Sequence, residues 1–187
     1  MTIAIIPNPN GTADIEVAGV NSISIAANGG VSQIVFSDSS TQTTAPQSNG
    51  IIQVVQGVTI TATATSNSDV YVTTTLTASI TPSSATSKIL VQVNVGWILS
   101  TQSTASGYAT FALYRGASSI VSPWFRGPTL PGSNQSVYGS AAGSYLDSPG
   151  SISSVTYTLF FNTTSSSVPQ TVQASGTPSY ITLYEIK

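Results

Sequence analysis

The residues able to carry acid–base or metal chemistry are few and scattered along the chain. The 187 residues include no His and no Cys, which excludes a Ser-His-Asp or Cys-His triad and removes the usual ligands of zinc and blue-copper sites. Two carboxylates at one sugar ring would permit glycoside hydrolysis, so Asp147 with Asp69 or Glu185 is the pairing to consider. We nevertheless expect no enzyme, no cofactor and no metal site. All carboxylates of the chain are Asp14, Glu16, Asp38, Asp69, Asp147 and Glu185.

Segment 122–140 is the stretch whose composition most suggests binding. It holds Trp124, Phe125, Arg126 and Tyr138 among residues typical of turns. Aromatic and Arg side chains dominate contact energies at interfaces, so these four residues form a candidate interaction surface for a sugar or a neighbouring subunit. The alternative is a long loop tucked over the domain, with Trp124 and Phe125 covering the core. Both interpretations stay open.

Charge is scarce, and this limits the partners that the chain can have. Only 5% of residues are charged, against about 25% in ordinary globular domains. Hydroxyl and amide groups must therefore form most of the polar surface, and identical copies can pack together with little repulsion. Four basic residues cannot neutralise a run of phosphates, so we expect no nucleic-acid partner. No stretch approaches the ~20 apolar residues of a membrane span, so we expect no membrane partner.

Short runs of Val, Ile, Thr, Tyr and Phe between turn residues predict an all-β protein. In Lys88–Ser100 the apolar residues alternate with Gln92 and Asn94, as they do in a strand with one buried face. The fold class that we predict is an antiparallel β-sandwich, jelly-roll-like, with a small N-terminal β-hairpin arm. The predicted strands of the sandwich are 51–56, 58–65, 73–80, 88–100, 109–115, 155–161 and 180–186. The predicted core is Ile89, Val91, Val93, Trp97, Phe111, Leu113, Tyr157, Leu159, Ile181 and Leu183.

Turn signals and a polar stretch divide the chain into three parts. Asn10-Gly11 and Asn28-Gly29-Gly30 are typical of tight hairpins, so residues 1–36 are predicted to be a β arm for anchoring and assembly. Residues 37–50 are predicted to be a linker, and residues 51–187 the sandwich. An arm this small buries too little to stand alone, so its apolar residues should contact a partner, a symmetry mate or the main domain. The candidate anchoring residues are Ile3, Ile5, Ile6, Ile15, Val17, Ile23, Ile25 and Ile34.

Four blocks of the predicted sandwich are Ser79–Val91, Ala109–Gly116, Tyr145–Gly150 followed by Ser154–Tyr157, and Ile181–Ile186. In this order they resemble a β-domain found in tailed-bacteriophage tail-fibre and capsid decoration proteins. The resemblance implies a trimeric module on the virion exterior and carries no catalytic residue across. Lys88, Arg115 and Asp147 lie inside these blocks, where we expect a structural ion pair or a turn-capping carboxylate.

Two functions from different classes follow from these observations. The first is a trimeric capsid decoration (cement) protein on the outer capsid surface, whose partners are its own copies and the major capsid protein or another virion protein. The second is the receptor-binding head of a short tail fibre that recognises host surface glycans. The N-terminus lacks the basic region of a secretory signal. We therefore expect synthesis in the host cytoplasm and location on the virion exterior.

Overall fold

The structure, a computed structural model, describes two parts of the chain in different detail. In the N-terminal part it describes strand positions 3–7, 13–17, 20–28, 31–36 and 41–42, and beyond them residues 50–65, 69–101, 103–132 and 134–187. The chain divides into two compact units, Met1–Ser48 and Asn49–Lys187.

The first unit holds one antiparallel five-stranded sheet in which neighbours along the chain pair in order. Its register places Ile5 opposite Ile15 and Ile15 opposite Ile23, so candidate anchoring residues share a row across three strands. The last strand falls inside the segment predicted to be a linker, and it pairs with the strand before it. The strands are β1 (Ile3–Pro7), β2 (Ala13–Val17), β3 (Val20–Asn28), β4 (Val31–Phe36) and β5 (Thr41–Gln42).

The second unit is built from antiparallel strands, and the one helical segment among its described residues is a 3-10 turn at Ala174–Gly176. The all-β prediction is therefore confirmed. The strands are β6 (Ile51–Thr59), β7 (Thr63–Thr65), β8 (Val72–Ile80), β9 (Lys88–Ser100), β10 (Ser106–Gly107), β11 (Ala109–Arg115), β12 (Ser118–Val121), β13 (Leu130–Pro131), β14 (Val137–Asp147), β15 (Val155–Thr163), β16 (Gln170–Val172) and β17 (Ser179–Ile186).

Two sheets enclose the core of this unit. The four-stranded sheet has the order β12-β11-β15-β8. In the six-stranded sheet, β9 is central: β14 pairs along one of its edges, while β17 and β16 pair along the other and are followed outward by β6 and β7. Alternate residues of the strands face the space between the sheets, as a period of two requires. Nine of the ten predicted core residues are buried there, from Ile89 to Leu183.

Trp97 is the exception, and its assignment to the core was wrong. Val95, Gly96 and Ile98 are buried, whereas Trp97 is 48% exposed. Between Ile98 and Val95, β9 has one residue more than the facing stretch of β14, which is a β-bulge in β9. A slip of one residue moves a side chain to the other face of a sheet, so the bulge turns Trp97 outward. Its φ of 26° is unusual for a bulky residue.

The glycine before Trp97 permits this bulge. A Cβ added to Gly96 would lie 2.4 Å from the carbonyl oxygen of Pro178, so no larger residue fits without movement of backbone. The Gly96 N–H also donates to the Ser179 hydroxyl at 2.9 Å. This local approach between β9 and the start of β17 is a tertiary feature that the alternation of β9 alone does not reveal.

Strand β14 was not predicted, and its first residues lie inside the segment taken as a loop. Gly, Ala and Ser dominate it, and these residues have weak or neutral strand preference. Its inward positions include Gly139 and Gly143 because bulky side chains occupy the space beside them. A Cβ on Gly139 would lie 3.0 Å from Pro128, and one on Gly143 would lie 2.5 Å from the Phe125 ring.

Replacement of Gly57 by Ala tests how closely the two sheets approach at β6. A Cβ at Gly57 would lie 2.0 Å from the carbonyl oxygen of Thr77 on β8, so backbone must move. We expect Gly57→Ala to lower the free energy of unfolding by about 1–3 kcal/mol, the usual cost of overpacking. The control is Gly50→Ala, because nothing lies within 4 Å of the added Cβ. Equal urea midpoints for the two variants would contradict the close approach.

Candidate functional site

The carboxylate of Asp147 joins the two sheets through a small polar cluster. Asp147 ends β14 in the six-stranded sheet, while Arg115 and Tyr157 belong to the four-stranded sheet. Arg115 donates from one guanidinium nitrogen to both carboxylate oxygens, at 3.0 and 2.9 Å, and the Tyr157 hydroxyl donates to Oδ2 at 2.6 Å. Of the two roles expected from the sequence, a structural ion pair or a turn-capping carboxylate, the structure shows the ion pair, with Arg115 as the partner of Asp147.

The electrostatics of this cluster favour a structural role. Burial, followed by the hydrogen bond to Asp147, raises the pKa of the Tyr157 phenol well above its usual range. Tyr157 thus remains a neutral donor at ordinary pH, and Asp147 accepts from two fixed donors. A carboxylate with both oxygens engaged by protein groups is well suited to holding two strands in place. Lys88, the other basic residue considered in the sequence analysis, is exposed and does not belong to this cluster.

Glu185 is a second buried carboxylate with its own partners. The Ser83 N–H and the Ser83 hydroxyl both donate to Glu185 Oε1 at 2.6 Å. Burial acts to raise the pKa of this carboxyl, but the Ser83 hydrogen bonds act in the opposite direction and the net pKa is lowered. Glu185 therefore fixes the loop after β8 onto β17. Asp69 is exposed in the loop before β8.

Trp124 and Phe125 turn toward the core rather than toward solvent. Both are half-buried and pack against the buried cluster. Phe125 stacks on Phe111 with ring centroids 4.7 Å apart, and Trp124 meets Phe125 edge-on at 4.9 Å. The Trp124 N–H donates to the Phe111 carbonyl at 2.7 Å, so this segment runs along the edge of β11. These contacts match the arrangement in which the two aromatic residues cover the core.

Arg126 and Tyr138 are both exposed, and each has a different aromatic neighbour. The guanidinium carbon of Arg126 lies 4.9 Å from the centroid of the Tyr108 ring. Tyr138 contacts Trp97, with centroids 5.5 Å apart and an interplanar angle of 49°. The four residues of the predicted interaction surface thus divide into a core pair and two separate surface positions, and whether Arg126 and Tyr138 bind anything stays a prediction.

The outward face of the six-stranded sheet carries a shallow groove that crosses β14, β9 and β17 and includes the ring of Tyr180. Its volume is about 440 Å³. The register places Asn94 between Ala142 on β14 and Tyr180 on β17, and Gln92 between Ser144 and Thr182. Amide and hydroxyl groups beside an aromatic ring suit a neutral polar ligand. The polar alternation of β9 indicates Gln92 and Asn94, but Trp97 reaches this face only through the bulge. The groove is lined by Gln92, Val93, Asn94, Ala142, Gly143, Ser144, Tyr180 and Thr182.

The next row along the same face is apolar. Tyr184 lies opposite Val54 on one side and Leu90 on the other, and Leu90 lies opposite Leu146. We call these four residues the apolar row. Val54 is 55% exposed and Leu146 is 49% exposed, so the two ends of the row are open to solvent. Ile51 and Ile52, at the start of β6, extend this exposed apolar surface. Sequence analysis missed it, because the row joins residues from four strands.

Within the described parts of the chain, no three acidic, His or Cys side chains come together in a way that could hold a metal ion. The same residues include no helix with the length and apolar character needed to cross a membrane.

Comparison with known proteins finds no matching protein-family model and no matching curated protein. Among solved structures, the chain is similar to a chain of the infectious bursal disease virus particle, with 10% identity, a TM-score of 0.42 and coverage of 95% of this chain and 45% of that one. A chain from the Gx strain of that virus gives 9% identity, a TM-score of 0.41 and coverage of 94% and 47%. A mutant VP2 protein of the same virus, in derived T=1 particles, gives 11% identity, a TM-score of 0.35 and coverage of 95% of this chain and 46% of that one. The chain spans a little under half the length of each.

Removal of the Tyr157 hydroxyl tests the polar cluster between the sheets. Tyr157→Phe keeps the buried ring but withdraws a donor from Asp147, so we expect a loss of about 1.5–3 kcal/mol in the free energy of unfolding at pH 7. The raised pKa of Tyr157 in the folded state means that the native protein loses stability as the pH rises above about 10, the unfolded pKa of Tyr. The variant lacks this loss, so the difference between the two proteins should shrink there.

Urea unfolding at pH 7 and at pH 11 measures both effects. The control is Tyr138→Phe, since that ring is 55% exposed and should change stability little. A constant difference between the native protein and Tyr157→Phe across both pH values would show that the buried hydroxyl does not determine the alkaline loss.

Proposed function

We propose that this chain is a non-enzymatic virion structural protein of a tailed bacteriophage, a homotrimeric capsid decoration (cement) protein on the outer capsid surface. The observation that carries the proposal is the apolar row, which crosses four strands of a nearly uncharged sheet and ends in two half-exposed aliphatic side chains, Val54 and Leu146. A contiguous exposed apolar patch on a protein of this size is typical of a contact surface for another protein.

The energetics of the apolar row favour assembly. Full burial of a Val or Leu side chain stabilises by about 1.5–3 kcal/mol. Val54 and Leu146 are each about half exposed, so a partner that covers them would add about half of that free energy for each. Tyr184 and Leu90 between them are half-buried, so a partner that covers the row would bury four apolar side chains at once. The neighbouring positions in the sheet are Ile186 and Lys88, which bring a single charge to the edge of the patch.

The scarcity of charge supports a protein that is present in many copies on one surface. Four basic and six acidic residues leave little repulsion between neighbouring copies and little to be screened by salt. The resemblance of the four sequence blocks to tailed-phage exterior domains supports the same location. In this proposal the N-terminal unit, which carries the candidate anchoring residues, and the apolar row of the second unit both contact virion proteins on the outer capsid surface.

A charge placed in the apolar row should prevent decoration. We expect Val54→Lys to reduce rebinding to particles stripped of the native protein by at least tenfold, because the ammonium group would have to be desolvated at the contact. The matched control is Gln56→Lys, which places the same charge two residues along β6 and outside the row. Equal rebinding of the two variants would show that the row is not the contact. A virion band much weaker than that of the major capsid protein would contradict the decoration assignment itself.

A second candidate function is the receptor-binding head of a short tail fibre, and one observation favours it. Trp97 is held outward by a bulge at an unusual φ, and strained backbone is often retained at binding sites. Its ring contacts that of Tyr138 on the outward face of the six-stranded sheet, and the same sheet carries a groove lined by Asn94, Gln92 and Tyr180. Such a combination of aromatic faces and amides would suit a neutral glycan of the host surface.

Loss of the Trp97 ring distinguishes this candidate. If the groove binds host glycans, Trp97→Ala should abolish retention of the protein on host envelope polysaccharide, while Val54→Lys should not. The control is Ile152→Ala, which removes another exposed apolar side chain, one that is 66% exposed. Retention that is equal for all three variants would show that the Trp97 ring does not contribute to glycan binding and would remove the observation that favours this candidate.

A further inference from the structure

The outer edge of β14 is long, regular and unpaired within the second unit. β14 spans eleven residues and pairs along its whole length with β9. Among the described residues of the unit, no other strand pairs with it, so half of its backbone N–H and C=O groups point away from the sheet. The extra residue of the bulge belongs to β9, so β14 itself keeps a strict alternation of exposed and less exposed positions up to Leu146.

Natural proteins usually protect such an edge, and β14 lacks the usual devices. Edge strands are commonly short, or carry Lys, Pro or a bulge that prevents pairing with another chain. β14 contains no Lys, Arg or Pro, and its one charged residue, Asp147, is buried and held by Arg115 and Tyr157. The opposite sheet ends in β12, which has only four residues. The edge of β14 is thus available for pairing over a length that β12 does not offer.

We propose that β14 pairs antiparallel with β14 of a second copy of the chain, around a twofold axis at Ala142. The contact joins two six-stranded sheets into one continuous sheet. A twofold contact uses the same surface on both copies. Each residue of β14 therefore lies opposite the residue that is equally far from Ala142 on the other side, and these two residues must be compatible. That requirement can be checked directly against the sequence of β14.

The residues of β14 meet this requirement at every position on the outward face. With Ala142 opposite its own copy, Tyr138 lies opposite Leu146 and Ser140 opposite Ser144. Tyr138 and Leu146 are the two large exposed apolar residues of the strand, at 55% and 49%, and the pairing places them side by side twice. Aromatic–aliphatic and hydroxyl–hydroxyl pairs are favourable cross-strand neighbours.

The inward face is compatible as well. Gly139 lies opposite Tyr145, so a bulky ring meets a position without a side chain. Asp147 lies opposite Val137, which keeps the two carboxylates at opposite ends of the contact and avoids repulsion between like charges. This register also pairs all eleven residues of the strand. A shift of the axis by two residues would leave one end of each copy of β14 without a partner.

The pairing goes beyond the proposed function, because it rests on the unpaired backbone edge of β14 and needs no virus particle. Leu146 is the one residue that the pairing shares with the apolar row. A twofold contact joins two copies and therefore does not build a trimer by itself. In an assembly of trimers it would connect one trimer with the next.

Single cysteines test both the contact and its register, since the native chain has none. Under oxidising conditions and at low protein concentration, Ala142→Cys should form a disulfide-linked dimer as the main product. Ser140→Cys alone and Ser144→Cys alone should give less than a tenth of that yield, because each is displaced by about 14 Å along the strand from its own copy, at ~3.4 Å per residue. A disulfide requires Cα atoms within about 7 Å. An equimolar mixture of these two variants should cross-link, since positions 140 and 144 face each other.

Three results would overturn the proposal. The first is a monomeric Ala142→Cys together with an unlinked mixture of the other two variants, as expected if another segment or a different protein covers the edge. The second is equal cross-linking of all single variants, which indicates random collision. The third is efficient cross-linking of Ser140→Cys alone, which indicates another register. Circular dichroism of the reduced proteins checks that each variant keeps its β-sheet spectrum, and binding to particles is not needed for any of these measurements.

Discussion

The burial of one face of β9 against the four-stranded sheet is the interaction on which the rest of the second unit depends. β9 is thirteen residues long, and Ile89, Val91, Val93 and Val95 are almost completely buried along it. In a chain with so few charges, apolar burial is the main source of stability. Because β14 and β17 both pair with β9, the position of this one strand determines where every outward-facing row of the larger sheet lies.

The few buried ionic groups set the alignment of the sheets. Asp147 connects the end of β14 with Arg115 and Tyr157 across the core, and Glu185 connects β17 with Ser83 in the loop after β8. Apolar burial is non-directional, whereas a buried carboxylate without its donors is strongly unfavourable. The two carboxylates therefore contribute to a unique arrangement of the strands as much as to their stability.

The surface features follow from the same packing. The aromatic side chains of Trp124 and Phe125 need space inside the sandwich, and β14 provides it with glycines on its inward face. A strand of such small residues has no large side chains or charges to shield its outer edge. In β9, the close approach of Gly96 to the Pro178 carbonyl accompanies the bulge that exposes Trp97. The exposed edge of β14 and the outward position of Trp97 are thus linked to how the core is filled.

The sequence by itself determined the fold class, the bounds of β9 and β11 and most of the core, while the choice of Arg115 as the partner of Asp147 came from the structure. Alternation with a period of two and the scarcity of charged residues carry that information locally. Only the tertiary structure decided that Trp97 faces solvent, that β14 is a strand and that Trp124 and Phe125 lie against the core. Each of these depends on contacts between residues far apart in the chain: Gly96 with Pro178, Gly143 with Phe125, and Phe125 with Phe111. The apolar row has the same origin, because its four residues become neighbours only when four strands are in register.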